Sequence, residues 1–178
     1  MALTLLTGGA RSGKSVLAVR LAAARPGLVT LIATAEPRDD EMRDKIALHR
    51  AARPQSWTTI EAPVEIADAL ATIPDQDLVI VDCLTLWVSN AMERGLSPDD
   101  ITERAAGFAK QCAARSEPVL VVTNEVGDGI VPMDPATRIW RNLMGTVNAA
   151  VAAEATHAYL VVAGRAIPLG GTEEVLLS

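Results

Sequence analysis

We expect a three-layer α/β fold with a mostly parallel central sheet, and three features of the sequence support this expectation. Short apolar runs alternate with segments of helical periodicity along the chain. The first unit is a strand at residues 3–6, a helix from Lys14 that stops at Arg25-Pro26-Gly27, and a strand at 28–34. Such a unit implies parallel pairing. At 178 residues the chain suits one sizeable core, so we expect residues 1–178 to form a single domain.

The middle of the chain continues this alternation. A charged helix is expected from about Asp39 to Arg53, because Pro54 follows it. The next expected elements are a short strand, a short helix and a buried strand, at residues 57–63, 64–71 and 78–82. Residues 84–92 fit a helix or a strand by periodicity, and the acidic strand end before them favours a helix.

In the last third of the sequence, the pattern predicts a surface helix, a strand and a loop, at residues 99–115, 118–124 and 125–134. Asp134 then caps a long helix that begins with Pro135. Its expected buried stripe is Ile139, Leu143, Val147 and Val151. A strand at 158–163, a turn at Gly164 and two apolar pieces at 166–169 and 174–177 complete the chain.

The composition narrows the possible partners and the compartment. A net charge of −6 argues against nucleic acid or an anionic membrane as a partner held by bulk electrostatics. No basic leader or apolar run of about 20 residues is present, so we expect a cytoplasmic protein without membrane insertion. Cys83 and Cys112 lack metal-site spacing, and we expect both thiols to be reduced and unpaired.

A phosphate-binding motif lies between the first strand and the first helix. The spacing G-x-x-x-x-G-K-[ST] is met by Gly8, Gly9, Ala10, Arg11, Ser12, Gly13, Lys14 and Ser15. Glycines let successive N–H groups converge on phosphate oxygens at the positive end of a helix. Lys14 would supply a cation to the outer phosphates and Ser15 a hydroxyl ligand for Mg²⁺. A chance glycine-rich turn lacks this flanking strand and helix.

The motif predicts where the rest of the site lies. Ligands of a parallel sheet bind beyond the carboxyl ends of its strands, which places Thr7, Thr34, Asp82 and Asn124 beside the site. Asp82 ends the apolar strand at 78–82 and is the second candidate ligand of Mg²⁺. The sequence therefore predicts a P-loop site for a nucleoside triphosphate with Mg²⁺, although the fold does not determine the reaction.

The charged helix carries a candidate nucleophile. Met42, Ile46, His49 and Arg53 fall on one stripe, with Arg50 beside it. From this spacing two interpretations stay open. His49 packs at the core boundary with solvated arginines, or it faces the phosphate site, where neighbouring positive charge favours the neutral, nucleophilic imidazole.

Several segments, taken in order, resemble the bifunctional adenosylcobinamide kinase / adenosylcobinamide-phosphate guanylyltransferase family of cobalamin biosynthesis. They are "LLTGGARSGKS", "ATAEPRDDEMRDKIALHRAARPQSWTTIEAP", "VDCLTLWVSN", "VTNEVGDGIVP" and "NAAVAAEATHAYLVVAGRAIPL". The resemblance implies a P-loop NTPase fold and two reactions. ATP or GTP first phosphorylates adenosylcobinamide, and GTP then transfers GMP to that phosphate, which releases pyrophosphate and gives adenosylcobinamide-GDP.

The resemblance also implies roles for residues. His49 matches the position of the family's GMP-histidine intermediate. Nucleotide contacts are implied for Gly8 through Ser15 and for a further set: Ala33, Thr34, Ala35, Arg50, Ala51, Ala52, Arg53, Glu61 and Asp82. The family often has glycine where Ala35 stands, so a backbone contact there is an open point. The resemblance also implies that the protein forms a homotrimer. We expect the nucleotide pose or the histidine helix to differ between the two reactions, because different phosphorus atoms react.

Other candidates and functions stay open. Asn124 and Glu125 could touch substrate or metal, or could only shape a loop. For Trp87 and Trp140 a core or subunit contact is favoured over the corrin, and His157 is expected to be structural. The alternatives to the bifunctional enzyme are a P-loop small-molecule kinase without nucleotidyl transfer and a non-enzymatic nucleotide-binding regulatory protein.

Overall fold

The structure is a computed structural model that describes residues 3–171. Its seven strands are β1 (Leu3–Thr7), β2 (Val29–Ala33), β3 (Thr58–Glu61), β4 (Leu78–Asp82), β5 (Val119–Val122), β6 (His157–Val162) and β7 (Arg165–Leu169). They form one sheet in the order β3-β2-β4-β5-β1-β6-β7. All neighbouring strands pair in parallel except β6 and β7, which are antiparallel.

Six helices connect these strands: α1 (Lys14–Ala23), α2 (Asp40–Ala51), α3 (Ile66–Ala71), α4 (Leu84–Glu93), α5 (Pro98–Ala114) and α6 (Pro135–Glu154). The expected helix at 84–92 is confirmed. The side chain of Asp134 caps α6 by accepting a hydrogen bond from the Thr137 N–H, and Pro135 occupies the first turn, as expected. Within residues 3–171, no helix is long and apolar enough to cross a membrane.

The sheet has an apolar core on each face, which confirms the three-layer arrangement. Successive residues of a strand point to opposite faces. In β4, Val79 and Val81 therefore join the larger core, built with α3, α4, α5 and α6. Leu78 and Ile80 join the smaller core, which includes Ala18 and Ala22 of α1. Helix α2 has no buried residue and contributes to neither core.

One expectation about burial needs correction. In α6, Leu143, Val147 and Val151 are buried as expected, but Ile139 is 50% exposed, because in that turn Trp140 packs against the core and Ile139 does not. The piece at 166–169 belongs to β7, an edge strand that tolerates Pro168. The apolar piece expected at 174–177 lies outside the described residues.

Leu143 and Ile139 lie one turn apart on α6 and provide a matched test of this packing. Leu143 is 4% exposed, so Leu143→Ala should lower the free energy of unfolding by about 2–5 kcal/mol through lost burial and a cavity. Ile139→Ala should cost roughly 1 kcal/mol or less because half of its side chain is already in water. Urea denaturation followed by circular dichroism measures both. Equal costs would contradict the packing of α6.

Both free cysteines have a thiol pKa above its usual value, although Cys112 is buried and Cys83 is partly exposed. Burial raises the pKa of Cys83 and raises the pKa of Cys112 to about 12. The thiolate is the reactive form, and at pH 8 a thiol of that pKa is about one part in ten thousand thiolate. In a Cys83→Ala variant, Cys112 should therefore react with a disulfide reagent only after unfolding in urea. In a Cys112→Ala variant, Cys83 should react more slowly than the same thiol in urea. Equal native and unfolded rates would contradict this.

Candidate active site

The motif residues Gly8–Ser15 form a loop that joins the end of β1 to the start of α1. Gly8 and Gly13 have φ angles of 145° and 101°, a region that residues with a side chain rarely adopt. A Cβ atom at Gly8 would also lie 2.3 Å from the carbonyl oxygen of Val161. The path of the loop therefore requires glycine, and it leaves the amino end of α1 open to an anion.

The Lys14 side chain is buried and lies along this loop. Its Nζ donates hydrogen bonds to the carbonyl oxygens of Gly8, at 2.8 Å, and Gly9, at 2.6 Å. Burial lowers the pKa of Lys14, while the charge of Asp82 opposes that effect. The two carbonyls thus hold the ammonium group within the loop that the motif predicts for phosphates.

Ser15 and Asp82 meet across the top of the sheet. Ser15 lies in the first turn of α1 and Asp82 is the last residue of β4, and the Ser15 Oγ donates to Asp82 Oδ1 at 3.1 Å. Hydroxyl and carboxylate oxygens are the hard ligands that Mg²⁺ takes. Across residues 3–171, His, Cys, Asp and Glu side chains form no metal-binding cluster of three or more. A cation between these two residues would take its other ligands from a nucleotide and water.

Helix α2 has no buried side chain, so its stability depends on contacts within the helix and at its ends. The Asp39 side chain caps it by accepting from the Met42 N–H at 2.7 Å. Asp40 and Glu41 place negative charge in its first turn, and Lys45 pairs with Glu41 at 2.6 Å. The expected stripe of Met42, Ile46, His49, Arg50 and Arg53 faces one cavity.

Asp82 also contacts this helix region through its second oxygen. The Arg53 Nη2 donates to Asp82 Oδ2 at 3.3 Å, and the His49 Nδ1 lies 3.7 Å from the same oxygen. Burial lowers the pKa of Arg53, and the charge of Asp82 opposes that effect. With Nδ1 turned towards the carboxylate, the Nε2 of His49 is the ring nitrogen that faces away from Asp82. One carboxylate therefore connects the P-loop to the histidine.

Arg50 is also matched by a carboxylate, since its guanidinium donates to Glu61 at the end of β3. The expectation that Arg50 and Arg53 surround His49 with unbalanced positive charge is therefore incomplete, because Glu61 and Asp82 each pair with one of them. The arginines can turn to phosphate oxygens only by exchanging one anionic partner for another.

The cavity has a volume of about 490 Å³, and most of the expected site residues line it. That size is within the range of small-molecule sites. The expected residues in its wall are Ala10, Arg11, Ser12, Gly13, Lys14, Ser15, Ala33, Ala35, His49, Arg50, Arg53, Glu61 and Asp82. Cavity residues that the motifs did not single out include Val16, Thr59, Cys83, Thr85, Leu86 and Val122.

Some expected residues lie elsewhere. Gly8 is buried and Gly9 is exposed, neither is in the cavity wall, and both accept hydrogen bonds from Lys14 through their carbonyls. The Thr34 hydroxyl is buried, donates to the Cys83 carbonyl at 2.7 Å and accepts from the Cys83 N–H at 2.9 Å. Ala51 and Ala52 are exposed outside the cavity wall. Thr7 is buried at the end of β1 and is not in that wall either.

The remaining candidates divide between the site and the scaffold. Asn124 lines the cavity, whereas the Glu125 carboxylate accepts from the Gly127 N–H at 2.6 Å and shapes its own loop. Trp87 is a core residue whose Nε1 donates to the Val64 carbonyl. Trp140 packs against the same core and donates to the Ser89 hydroxyl. His157 is exposed at the start of β6 and faces Tyr159.

Comparison with protein families gives one match over nearly the whole chain. Residues 4–169 match the family described as "Cobinamide kinase / cobinamide phosphate guanyltransferase". The bifunctional adenosylcobalamin biosynthesis protein CobP of Pseudomonas aeruginosa is 37% identical over 168 residues, which cover 94% of this chain and 96% of that protein. The CobU proteins of Salmonella typhimurium and Escherichia coli are 37% and 36% identical, and each match covers 90% of this chain and 95% of the relative.

Solved structures with a similar fold are much more distant in sequence. The ATPase EscN of the enteropathogenic E. coli type III secretion system aligns with a TM-score of 0.59 at 11% identity, over 91% of this chain and 43% of that chain. The RadB recombinase aligns with a TM-score of 0.52 at 16% identity, over 89% of this chain and 73% of that chain. At such identities these structures support the fold alone.

Proposed function

This chain belongs to the cobinamide kinase / cobinamide phosphate guanyltransferase family, and we propose that its single P-loop cavity carries out both reactions. ATP or GTP phosphorylates the hydroxyl of the aminopropanol arm of adenosylcobinamide. GMP from GTP then joins that phosphate to give adenosylcobinamide-GDP and pyrophosphate. One observation carries the proposal: His49 and the P-loop line the same cavity and both contact Asp82.

The kinase reaction needs little more than positioning and charge. The acceptor hydroxyl attacks the γ-phosphorus, the bond to the β–γ bridging oxygen breaks, and the hydroxyl proton leaves to solvent or a nearby base. Lys14 would turn from the Gly8 and Gly9 carbonyls to the outer phosphate oxygens. The N–H groups of the loop would hold those phosphates at the start of α1.

The guanylyl transfer uses His49 as nucleophile. Its Nε2 attacks the α-phosphorus of GTP, a nitrogen–phosphorus bond forms, and the α–β bridging oxygen leaves with pyrophosphate. An oxygen of the adenosylcobinamide phosphate then attacks the same phosphorus and releases the imidazole. Asp82, 3.7 Å from Nδ1, would stabilise the positive charge that the ring carries while Nε2 is bonded to phosphorus.

Ser15 and Asp82 would hold Mg²⁺, since their oxygens already face each other. The ion supplies charge neutralisation for the phosphates when it is bound. Asp82 could face this ion through Oδ1 and His49 or Arg53 through Oδ2, which is how the two oxygens are divided in the structure. A change in the position of α2 between the two reactions is supported by its lack of buried residues, because little packing would be lost.

Two further expectations belong to this proposal. A homo-oligomer, a trimer by family resemblance, is supported by exposed apolar side chains at the β7 edge of the sheet, namely Ile167 and Leu169 in β7 and Val162 at the end of the neighbouring β6. A cytoplasmic enzyme would meet its nucleotides there and would keep both unpaired thiols reduced.

The two histidines of the chain give a matched test. The protein is incubated with Mg²⁺ and α-³²P-labelled GTP, and label that is acid-labile and base-stable is counted on the denatured chain. His157→Ala should keep the label because His157 lies outside the cavity. His49→Ala should lose it yet still phosphorylate adenosylcobinamide, because the P-loop is intact.

The outcomes separate the candidate functions. Label that survives His49→Ala would contradict the GMP-histidine intermediate. Phosphorylation of adenosylcobinamide without any label on the unsubstituted chain would indicate a plain P-loop kinase in which His49 is structural. If the chain shows neither labelling nor phosphorylation, a regulatory nucleotide-binding protein would be indicated.

A further inference from the structure

The loop between β5 and α6 exposes large apolar side chains near its end. Ile130 is 96% exposed and Met133 is 95% exposed, with Val131 between them also exposed. We call Ile130, Val131 and Met133 the 130–133 surface. Single exposed apolar residues are ordinary, but three within four positions of one loop mark a contact surface.

Hydrogen bonds from α6 hold this loop in a defined shape. The Arg141 guanidinium donates to the carbonyl oxygens of Val126, at 3.2 Å, Gly127, and Gly129, at 3.2 Å. Arg138 donates to the carbonyl of Pro132 at 3.0 Å. Two arginine side chains of α6 thus donate hydrogen bonds to backbone oxygens of the loop. The three apolar side chains point outward, and none of them belongs to either apolar core.

The same loop begins in the wall of the nucleotide cavity. Asn124, two residues after the end of β5, lines that cavity. The Asn124 N–H donates to the Thr85 hydroxyl at 3.0 Å, and the Glu125 N–H donates to the Gly8 carbonyl at 3.0 Å. The start of the loop is therefore fixed to the P-loop. The loop that carries the 130–133 surface thus begins at the wall of the nucleotide cavity.

We propose that the 130–133 surface binds the corrin ring of the acceptor, which rests on the proposed function. The cavity, at about 490 Å³, suits a nucleotide, so a macrocycle larger than the nucleotide itself must lie outside it while its aminopropanol arm reaches in. A corrin carries methyl groups among the amide side chains of its rim, and those methyl groups would pack on exposed aliphatic side chains. The loop supplies such side chains on a rigid frame, in continuity with the cavity.

A second copy of this chain is the competing occupant, and position favours the corrinoid. The exposed apolar residues of the β7 edge offer a copy contact that needs no part of the nucleotide site. The 130–133 surface, in contrast, belongs to a loop whose first residues contact the P-loop and the cavity.

Steady-state kinetics of adenosylcobinamide phosphorylation tests this assignment. The double variant Ile130→Ser with Met133→Ser should raise the KM for adenosylcobinamide roughly tenfold or more, because it removes two apolar contacts. The kcat and the KM for ATP should stay within about twofold. Ile130→Val with Met133→Leu should restore the KM. Leu28→Ser is the matched control, since Leu28 is exposed just before β2, at the amino ends of the parallel strands and opposite the P-loop.

Two results would overturn the proposal. One is an unchanged KM for adenosylcobinamide in the serine double variant. The other is a raised KM accompanied by a loss of oligomer mass in light scattering, which would assign the surface to a contact between copies. Equilibrium dialysis with adenosylcobinamide separates this proposal from the proposed function. Weaker binding by the double variant alone supports the surface even if no phosphorylation is detected, and equal binding by all variants overturns it.

Discussion

The carboxylate of Asp82 is the contact on which the rest of the site depends. One oxygen accepts from Ser15 at 3.1 Å, and the other lies 3.3 Å from Arg53 and 3.7 Å from His49. Strand β4, paired between β2 and β5, fixes its position. A shift of one residue in this register would turn the side chain to the other face of the sheet. The P-loop and helix α2, which carries His49, meet because the buried strand β4 ends at Asp82.

Helix α2 differs from the other helices of residues 3–171 in how it is stabilised. It depends on its Asp39 cap and its own ion pairs, with no buried side chain. Its start is held to α4, because Arg38 donates to Asn90 at 2.7 Å and also pairs with Glu93. Its end is held by Arg50 and Arg53, which pair with carboxylates of the site. A helix held by polar contacts at its two ends can change position at little cost to the core.

The sequence predicted which residues lie around one cavity more completely than it predicted burial. The P-loop, Asp82 and the stripe that contains His49 all face one cavity, because each follows from local spacing or from the end of a strand. Ile139 was expected to be buried and is half exposed. Spacing identifies one face of a helix but not how far a neighbouring element extends over it. For the same reason, the sequence did not indicate that Arg138 and Arg141 hold the loop of the 130–133 surface, or that Glu61 pairs with Arg50. The role proposed for His49 rests on the family resemblance, since its spacing fitted two interpretations.

A crystal structure of the chain with Mg²⁺ and a non-hydrolysable GTP analogue would test the central claim most directly. We predict that the metal contacts the Ser15 hydroxyl and Asp82, that Arg53 turns from Asp82 towards phosphate oxygens, and that the Nε2 of His49 faces the α-phosphorus opposite the leaving pyrophosphate. A metal held away from Asp82, or an imidazole that faces away from the α-phosphorus, would contradict the account of one carboxylate serving both the P-loop and the histidine.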